Sequence, residues 1–247
     1  MLLSAYNPLE LQRLMNTLHL CNNRSQTSIN TDKSKIASRS GSHSPIFYGN
    51  KQLPQTDVIT HLGLKRNLQS PNAEVTEKLN TARRCLYSMI PSGIHGSNGV
   101  PPYVSRTVMV MHVIPRLLAG LESVIPSASD RQRISVFFNQ TIKRLLSVRE
   151  TCSNAAAYMM SGLMPIEVYL DIRVLQLFGA VTRLPDTHPM KELARRQLSL
   201  PEHSKGWFTA ATEITEKYGL LEILIQALYG HITKNSWKRQ VNSRIRH

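Results

Sequence analysis

The sequence predicts a mainly α fold, in which a small α+β unit is followed by an all-helical array. After residue 67, apolar residues recur at three- and four-residue steps, which is typical of helices. Between Thr27 and Leu64, the apolar pieces are short and are separated by Ser, Gly, Asn and Pro, which favours strands and turns. No heptad run or internal repeat occurs, which argues against a coiled coil or a solenoid. We therefore predict a first unit at 1–67, a helical region at 68–232 and a basic tail at 233–247.

The first unit is predicted to open with a helix. Asn7 suits the N-cap, Pro8 suits the first helical position, and Glu10 completes an arrangement like a capping box. The helix is expected to give way to a polar linker at 21–25, and a Ser-rich surface loop is expected at 39–43. Four apolar residues fall on one face of this helix: Leu11, Leu14, Met15 and Leu18.

Prolines and glycines divide the second region into helices. A stripe from Val75 to Ile90 predicts a helix that Pro91 ends, and the glycines of 93–99 predict a flexible connection. The next helix, about 105–124, carries Pro115 in its interior, so a kink or break is expected there. Further helices are predicted from Ser129 onwards and at 154–160, 166–181, 189–198, 207–218 and 220–232.

Composition and charge narrow the class of partner. The 247 residues are 41% hydrophobic and 19% charged, as in a globular protein. Thirty Lys and Arg against 16 Asp and Glu give a net charge of +14. This excess favours a polyanionic partner, because cations that neutralise phosphates gain affinity by releasing counterions. The alternative is a basic chain that merely stays soluble.

The cysteines and the apolar segments indicate an intracellular protein with no membrane span. Cys21, Cys85 and Cys152 are scattered and odd in number, so they support neither a disulfide framework nor a zinc site. A reduced compartment is expected, with nucleus or cytoplasm left open. Residues 1–6 lack the pattern of a signal peptide. The most apolar stretch, 108–121, is too short and too interrupted to cross a bilayer.

Several segments resemble, in order, the end of a reverse transcriptase of the kind that non-LTR (LINE-type) retrotransposons encode. The helix at 7–14 is similar to the stretch just after the catalytic aspartates, and the turn at 29–36 and the glycine-broken strand at 58–64 are similar to the last palm motifs. The likeness continues at 82–89, which resembles the opening helix of the thumb, and then at later landmarks of such elements: 115–122, 165–179, Trp207-Phe208 and Tyr218-Gly219-Leu220. It covers nearly the whole chain and implies a palm remnant followed by a thumb-like helical array.

The resemblance also implies what this chain lacks. Nucleotidyl transfer uses two divalent ions held by closely placed carboxylates. The sequence contains no adjacent acidic pair, and Asp32 and Asp57 lie in separate segments. We therefore assign no catalytic and no metal-binding residue, and no cofactor to this chain alone. Magnesium would belong to an intact parent enzyme, whose upstream palm and fingers portion becomes the expected missing partner.

The palm-like segments supply the first candidate nucleic-acid contacts. By resemblance, Lys33 lies near an incoming triphosphate, although a solvated turn lysine is the alternative. The segment that contains His61 and Gly63 resembles the element that grips the primer terminus in this family, and a glycine there would allow close backbone approach. An ordinary strand kink is the alternative for Gly63. Lys65 and Arg66 would add phosphate contacts.

The helical region supplies the remaining candidates. Arg83, Arg84, Lys143 and Arg144 are candidate contacts for the backbone of RNA or of an RNA/DNA duplex; solvated helix faces are the alternative. Two similar pairs are Arg131 with Arg133, and Arg195 with Arg196. The predicted tail contains five cations and no acid, and its Trp237 would either stack on a base or pack on the preceding helix.

Two functions compete at this point. The first is a C-terminal fragment of an RNA-directed DNA polymerase, inactive alone, that retains at most template–primer binding. The second is a domesticated helical module without enzymatic activity that binds nucleic acid or a protein.

Overall fold

The chain folds into two compact units, residues 1–74 and 75–247, each with its own core. The computed structural model describes residues 3–38, 44–61, 64–67, 72–94, 101–124, 126–199, 206–230 and 232–246. The fold is mainly α with a small α+β element, as the sequence predicts. The predicted loop at 39–43 and most of the predicted connection at 93–99 lie outside the described residues.

Helix α1 (Pro8–Arg24) opens the first unit and begins as predicted. The Asn7 side chain accepts from the Glu10 N–H at 2.8 Å, and the Glu10 carboxylate accepts from the Tyr6 N–H at 3.0 Å. The predicted polar linker at 21–25 is wrong, because the helix continues to Arg24. Asn22 explains the extension, since its side chain donates to the Tyr48 hydroxyl at 2.8 Å and holds the last turn in place.

Four short strands complete this unit. β1 (Phe47–Tyr48) pairs antiparallel with β2 (Lys51–Gln52), and β3 (Val58–His61) pairs antiparallel with β4 (Leu64–Asn67). The segment predicted as one glycine-broken strand therefore belongs to two paired strands. A small apolar core of Met15, Ile46 and Leu53 lies beneath α1 and the first hairpin.

Gln12 ties α1 to the first hairpin. Its side chain donates to the Phe47 carbonyl at 2.9 Å and accepts from the Phe47 N–H at 2.8 Å. Replacing Gln12 with alanine should destabilise this contact by about 1 kcal/mol, the usual net value of such bonds. Amide hydrogen exchange at Phe47 measures the loss, with Arg13→Ala, also on α1, as the control. Equal Phe47 protection in both variants would contradict the expectation.

The second unit is built from helices throughout its described part. A 3-10 turn at Ile90–Ser92 follows α2, as expected for a helix stopped by Pro91. No helix among the described residues combines the length and apolar character that a bilayer crossing requires. The helices are α2 (Asn72–Met89), α3 (Pro102–Val108), α4 (Ile114–Leu118), α5 (Ala128–Leu145), α6 (Asn154–Ser161), α7 (Ile166–Thr182), α8 (Pro189–Leu198), α9 (Trp207–Lys217), α10 (Leu221–Tyr229) and α11 (Lys234–Arg246).

The expected irregularity at Pro115 is confirmed. A π-helical turn, Met109–Val113, joins α3 to α4 just before the proline. Proline has no N–H to donate and its ring crowds the carbonyl four residues earlier, so a widened turn accommodates it. Gly120 then reverses the chain with φ +86°, and its N–H donates to the Glu122 carboxylate at 3.0 Å.

Helix α7 is the centre of the second core. Its predicted apolar stripe is confirmed: Phe178 is fully buried and meets the rings of Trp207 and Phe208 edge-on at 5.7 and 5.8 Å. Trp207 also donates its indole N–H to the Glu122 carbonyl at 2.7 Å. The aromatic pair that opens α9 therefore serves as a core anchor.

The predicted basic tail is a helix that packs on α7. Trp237 of α11 is only 1% exposed and donates its indole N–H to the Leu175 carbonyl at 2.9 Å. Its ring lies directly against Gly179, and Val241 is buried one turn further along. The hypothesis that Trp237 stacks on a base is therefore wrong, and it packs on α7 rather than on α10, the helix before it.

Candidate nucleic-acid interface

Helix α11 has one buried face and one cationic face. Trp237 and Val241 are four residues apart and point into the core, so the residues between them and opposite them face solvent. Residues 232–247 contain no acid. Within the described part of the chain, no carboxylate forms an ion pair with the exposed cations of this helix, namely Lys234, Lys238, Arg239 and Arg244.

A shallow depression of about 430 Å³ runs along this cationic face. It is lined by polar residues at three- and four-residue spacing, so they form one continuous stripe on the helix. Ammonium, guanidinium, amide and hydroxyl groups all donate hydrogen bonds, as contacts to phosphate oxygens require. The lining residues are Asn235, Lys238, Arg239, Asn242 and Ser243.

Arg83, from α2, and Arg144, from α5, both lie along one side of α5. The Arg83 guanidinium lies over the Phe137 ring at 5.6 Å from its centre. Arg144 follows Phe137 by seven residues, which places it on the same helix face about 10 Å further along the axis. Both arginines are exposed, and neither has an acidic partner among the described residues. They present two positive charges that backbone phosphates can contact.

Arg84 and Lys143 already hold contacts of their own. The Arg84 guanidinium is 3.4 Å from the Glu77 carboxylate, although its side chain remains 70% exposed. Lys143 is half-buried and donates to the Glu150 carbonyl at 2.9 Å, which closes the loop after α5. An exposed ion pair is worth little, so Arg84 can exchange its partner more readily than Lys143.

One arginine from each of the two other basic pairs named above forms hydrogen bonds that hold the fold together. Arg133 donates to the buried Asp130 carboxylate at 3.1 Å and to Thr76 at 2.9 Å, which links α5 to α2. Arg195 donates to the Asp186 carboxylate at 2.6 Å and to the Leu228 carbonyl of α10 at 2.7 Å. Pairing with Lys191 and Arg195 holds the pKa of Asp186 below its ordinary value.

In the first unit, Lys33 and Thr60 line one cleft of about 520 Å³. The Asn30 side chain shapes the turn before it, accepting from the N–H groups of Asp32 and Lys33 at 3.1 Å each. Leu11 and Met15 of α1 are among the apolar residues of the cleft, and none of its described lining residues is acidic. These lining groups do not fit a pair of magnesium ions, which require oxygen ligands from carboxylates.

For the other candidate contacts of the first unit, the strand register gives the backbone positions. His61 ends β3 opposite Leu64, while Lys65 and Arg66 of β4 pair with Thr60 and Ile59. The antiparallel register therefore brings the two basic positions beside the strand that borders the Lys33 cleft. Gly63 lies outside the described residues.

Neighbouring acidic side chains do not assemble a metal site in the described ranges. Asp32 pairs with Lys51 at 2.7 Å on the surface rather than facing the cleft. Among the described residues, no three or more His, Cys, Asp or Glu side chains are grouped so that they could hold a metal ion. The three cysteines are unpaired.

A buried polar cluster centred on Asp171 was not predicted. Asp171 of α7 is 1% exposed, and its Oδ2 accepts from the Lys217 ammonium at 2.8 Å and from the Tyr218 hydroxyl at 2.9 Å. Burial and the Asp171 charge raise the pKa of Tyr218. For Lys217, burial is the largest cause and lowers the pKa, but the hydrogen bond to Asp171, the Asp171 charge and the contact with Tyr218 together outweigh it, so the pKa is raised. The sequence signal was the Asp in an otherwise apolar helical stripe.

Comparison with known proteins found no matching family model, no matching curated protein and no matching solved structure.

Proposed function

We propose that this chain is the C-terminal part of a non-LTR retrotransposon reverse transcriptase, and that it holds the backbone of RNA or of an RNA/DNA duplex. It joins no nucleotides by itself. The observation that carries the proposal is the cationic face of α11, which is fixed in position by the burial of Trp237 and Val241. A helix anchored in this way presents its charges without first having to fold.

The binding is electrostatic and independent of base sequence. Lysine and arginine side chains neutralise phosphates and release the counterions condensed around them, which makes affinity depend on salt. Lys238 and Arg239 lie at the centre of the α11 stripe. Arg83 and Arg144 supply further exposed cations on α2 and α5.

The first unit supports the same proposal in a different way. Its described core buries few apolar side chains, whereas Tyr6, Leu9 and Leu20 on or beside α1 are largely exposed. Such exposure is typical of a surface that another part of a protein covers. We propose that an upstream palm and fingers portion covers it in the parent enzyme and supplies the carboxylates that magnesium requires.

Fluorescence anisotropy with a labelled RNA/DNA duplex tests the α11 face. The wild-type chain should bind with a steep salt dependence, and Lys238→Gln combined with Arg239→Gln should weaken binding on the order of 10-fold at low salt. The slope of log affinity against log salt should also fall by about two. Arg13→Gln with Arg24→Gln removes two exposed cations that form no described ion pair from the first unit and is the matched control.

Two results would contradict the proposal. One is the absence of duplex binding by the wild-type chain at low salt. The other is primer extension by this chain alone on an RNA template with magnesium, because no residue here is assigned to hold the ions.

The alternative is a helical binding module, which is favoured by the complete, separate core of the second unit. Neutralising Lys33 and Lys35 in the intact chain distinguishes the two functions. Weaker duplex binding by Lys33→Gln with Lys35→Gln supports the polymerase-derived arrangement, in which both units contact nucleic acid. Unchanged binding favours the module.

A further inference from the structure

An aromatic ring lies exposed at the end of α10, shortly before α11 begins. Tyr229 is 69% exposed, and the guanidinium carbon of Arg195 lies over its ring, 5.3 Å from the ring centre. One face of the ring is therefore covered by a cation and the opposite face is open to solvent. A flat aromatic face of this kind is suited to a planar ligand that stacks on it.

The cation behind the ring is itself held in place. Arg195 donates from Nε to the Leu228 carbonyl at 3.2 Å, and its terminal nitrogen donates to the same oxygen at 2.7 Å. Leu228 directly precedes Tyr229, so a single guanidinium holds the backbone before the ring and packs against the ring as well. Because this contact exists before any ligand arrives, stacking on Tyr229 costs less side-chain freedom than stacking on an isolated surface tyrosine.

The charges next to the ring favour a polyanion. Asp186 is paired with both Lys191 and Arg195, at 3.0 and 2.6 Å, so two cations accompany one carboxylate. Along α10 the only acid is Glu222, which lies seven residues before Tyr229, or about 10 Å away along the helix axis. The ring therefore lies in a locally positive region.

The cations of α11 are within a short chain distance of this ring. Lys234, which begins α11, follows Tyr229 by five residues. Their Cα atoms are at most about 19 Å apart, because consecutive Cα atoms are separated by about 3.8 Å. A flexible nucleic-acid strand with one base on Tyr229 can place neighbouring phosphates on α11. Bases inside a duplex are stacked on one another, so only an unpaired base offers its flat face.

We infer that Tyr229 is a stacking site for an unpaired base of a single-stranded nucleic acid whose phosphates lie on the cations of α11. The inference rests on the proposed function of the α11 face and adds a contact that a duplex interior does not make. Every base has a flat face, so the contact accepts any base sequence.

Fluorescence anisotropy on the intact chain tests the site with a labelled strand of about eight thymidines and with a strand of equal length and charge that lacks bases. Tyr229→Ala should weaken binding of the thymidine strand about 10-fold, the size of effect expected for one lost base stack. Binding of the strand without bases should not change. Tyr229→Phe keeps the ring and should bind the thymidine strand within about 2-fold of the wild type.

Two further measurements separate stacking from a general loss of affinity. Tyr103→Ala removes another tyrosine of the helical unit, which is 72% exposed and has no cation over its ring among the described residues. It should leave the binding of both strands unchanged. The salt dependence of thymidine-strand binding should be the same for Tyr229→Ala as for the wild type, because no phosphate contact is removed. Circular dichroism confirms that each variant is folded.

Three outcomes overturn the inference: equal binding of the thymidine strand by the wild type and folded Tyr229→Ala, an equal loss for the strand without bases, or a loss in Tyr229→Phe as large as in Tyr229→Ala. A long RNA/DNA duplex, in which few bases lie at an end, separates this inference from the proposed function. Duplex binding that persists while Tyr229→Ala has no effect on the thymidine strand contradicts the stacking site alone. Absence of duplex binding by the wild type contradicts the proposed function.

Discussion

Replacing Gly179 with alanine is expected to destabilise the helical unit by about 3 kcal/mol, a large share of the stability of a typical domain. A Cβ at this position would lie 2.1 Å from Nε1 and 2.3 Å from Cδ1 of Trp237. The indole cannot swing away, because it is buried and its N–H is held by the Leu175 carbonyl at 2.9 Å. Either α11 moves off α7 or the indole leaves its pocket.

Urea denaturation measures this effect, and Gln176→Ala on the exposed side of α7 is the control, with an expected change within about 0.5 kcal/mol. Trp237→Ala alone should cost about 3–5 kcal/mol through lost burial. The double variant should be no less stable than Trp237→Ala, because the clash has been removed. If the double variant loses as much stability as the sum of the two single variants, the direct contact between Gly179 and Trp237 is contradicted.

The same substitution connects stability to the proposed function. If α11 leaves α7, its cations no longer occupy fixed positions, and the helix must be ordered again when a duplex binds. Gly179→Ala should therefore weaken duplex binding under conditions in which the remainder of the unit stays folded. Its salt slope should change less than that of the Lys238 and Arg239 variant, because all the charges remain.

Most of the helices could be predicted because each apolar stripe lies between residues that typically begin or end a helix, such as an N-cap serine, a proline or a glycine. In α5 the stripe that includes Ile134 and Phe138 follows the Ser127 N-cap, whose hydroxyl accepts from the Asp130 N–H at 3.2 Å. Local sequence is sufficient in such a case, because the residues that start the helix are next to those that bury it.

Helix α11 shows what local sequence does not reveal. It has few apolar residues among many cations, which is typical of a solvated tail. Its packing depends on Gly179, a residue in a helix much earlier in the chain that leaves space for the Trp237 ring. The glycine lies in a strongly apolar helix, and nothing next to it in the sequence indicates its partner.

For the candidate interface, the sequence could identify which residues are cationic but not which of them are free to bind a ligand. Their individual roles depend on tertiary contacts: Arg195 is held by the Leu228 carbonyl of α10, whereas Arg144 has no acidic partner in the described part of the chain. Lys33 was identified by resemblance, whereas the bonds by which the Asn30 side chain shapes its turn are seen only in the structure. That Thr60 lines the same cleft as Lys33 is a result of the fold.

Asp171→Asn is the second substitution with a large expected effect, a loss of about 1–3 kcal/mol near neutral pH. The buried carboxylate accepts from a charged ammonium and from a phenol, and the amide is a weaker acceptor for both. Glu216→Gln, on the same helix as Lys217 and exposed, removes an acid without removing a described ion pair and is the matched control.

The pH dependence makes the prediction specific. Folding raises the pKa values of both Lys217 and Tyr218, so it favours the protonated form of each group. Their contribution to stability is therefore complete below the unfolded pKa values, about 10 for each. It is lost as the pH rises through the higher folded values, where the ammonium and the phenol lose their protons beside the Asp171 carboxylate.

The wild-type free energy of unfolding should consequently fall more steeply than that of Asp171→Asn between about pH 9 and pH 11. Urea titrations across this range measure both slopes. Without the buried charge, the pKa of Lys217 loses its main raising cause, whereas burial still raises the pKa of Tyr218, so the variant loses less stability than the wild type there but still loses some. Parallel curves for the two proteins would mean that the cluster contributes no pH-dependent stability, and a steeper curve for the variant would reverse the sign argued above.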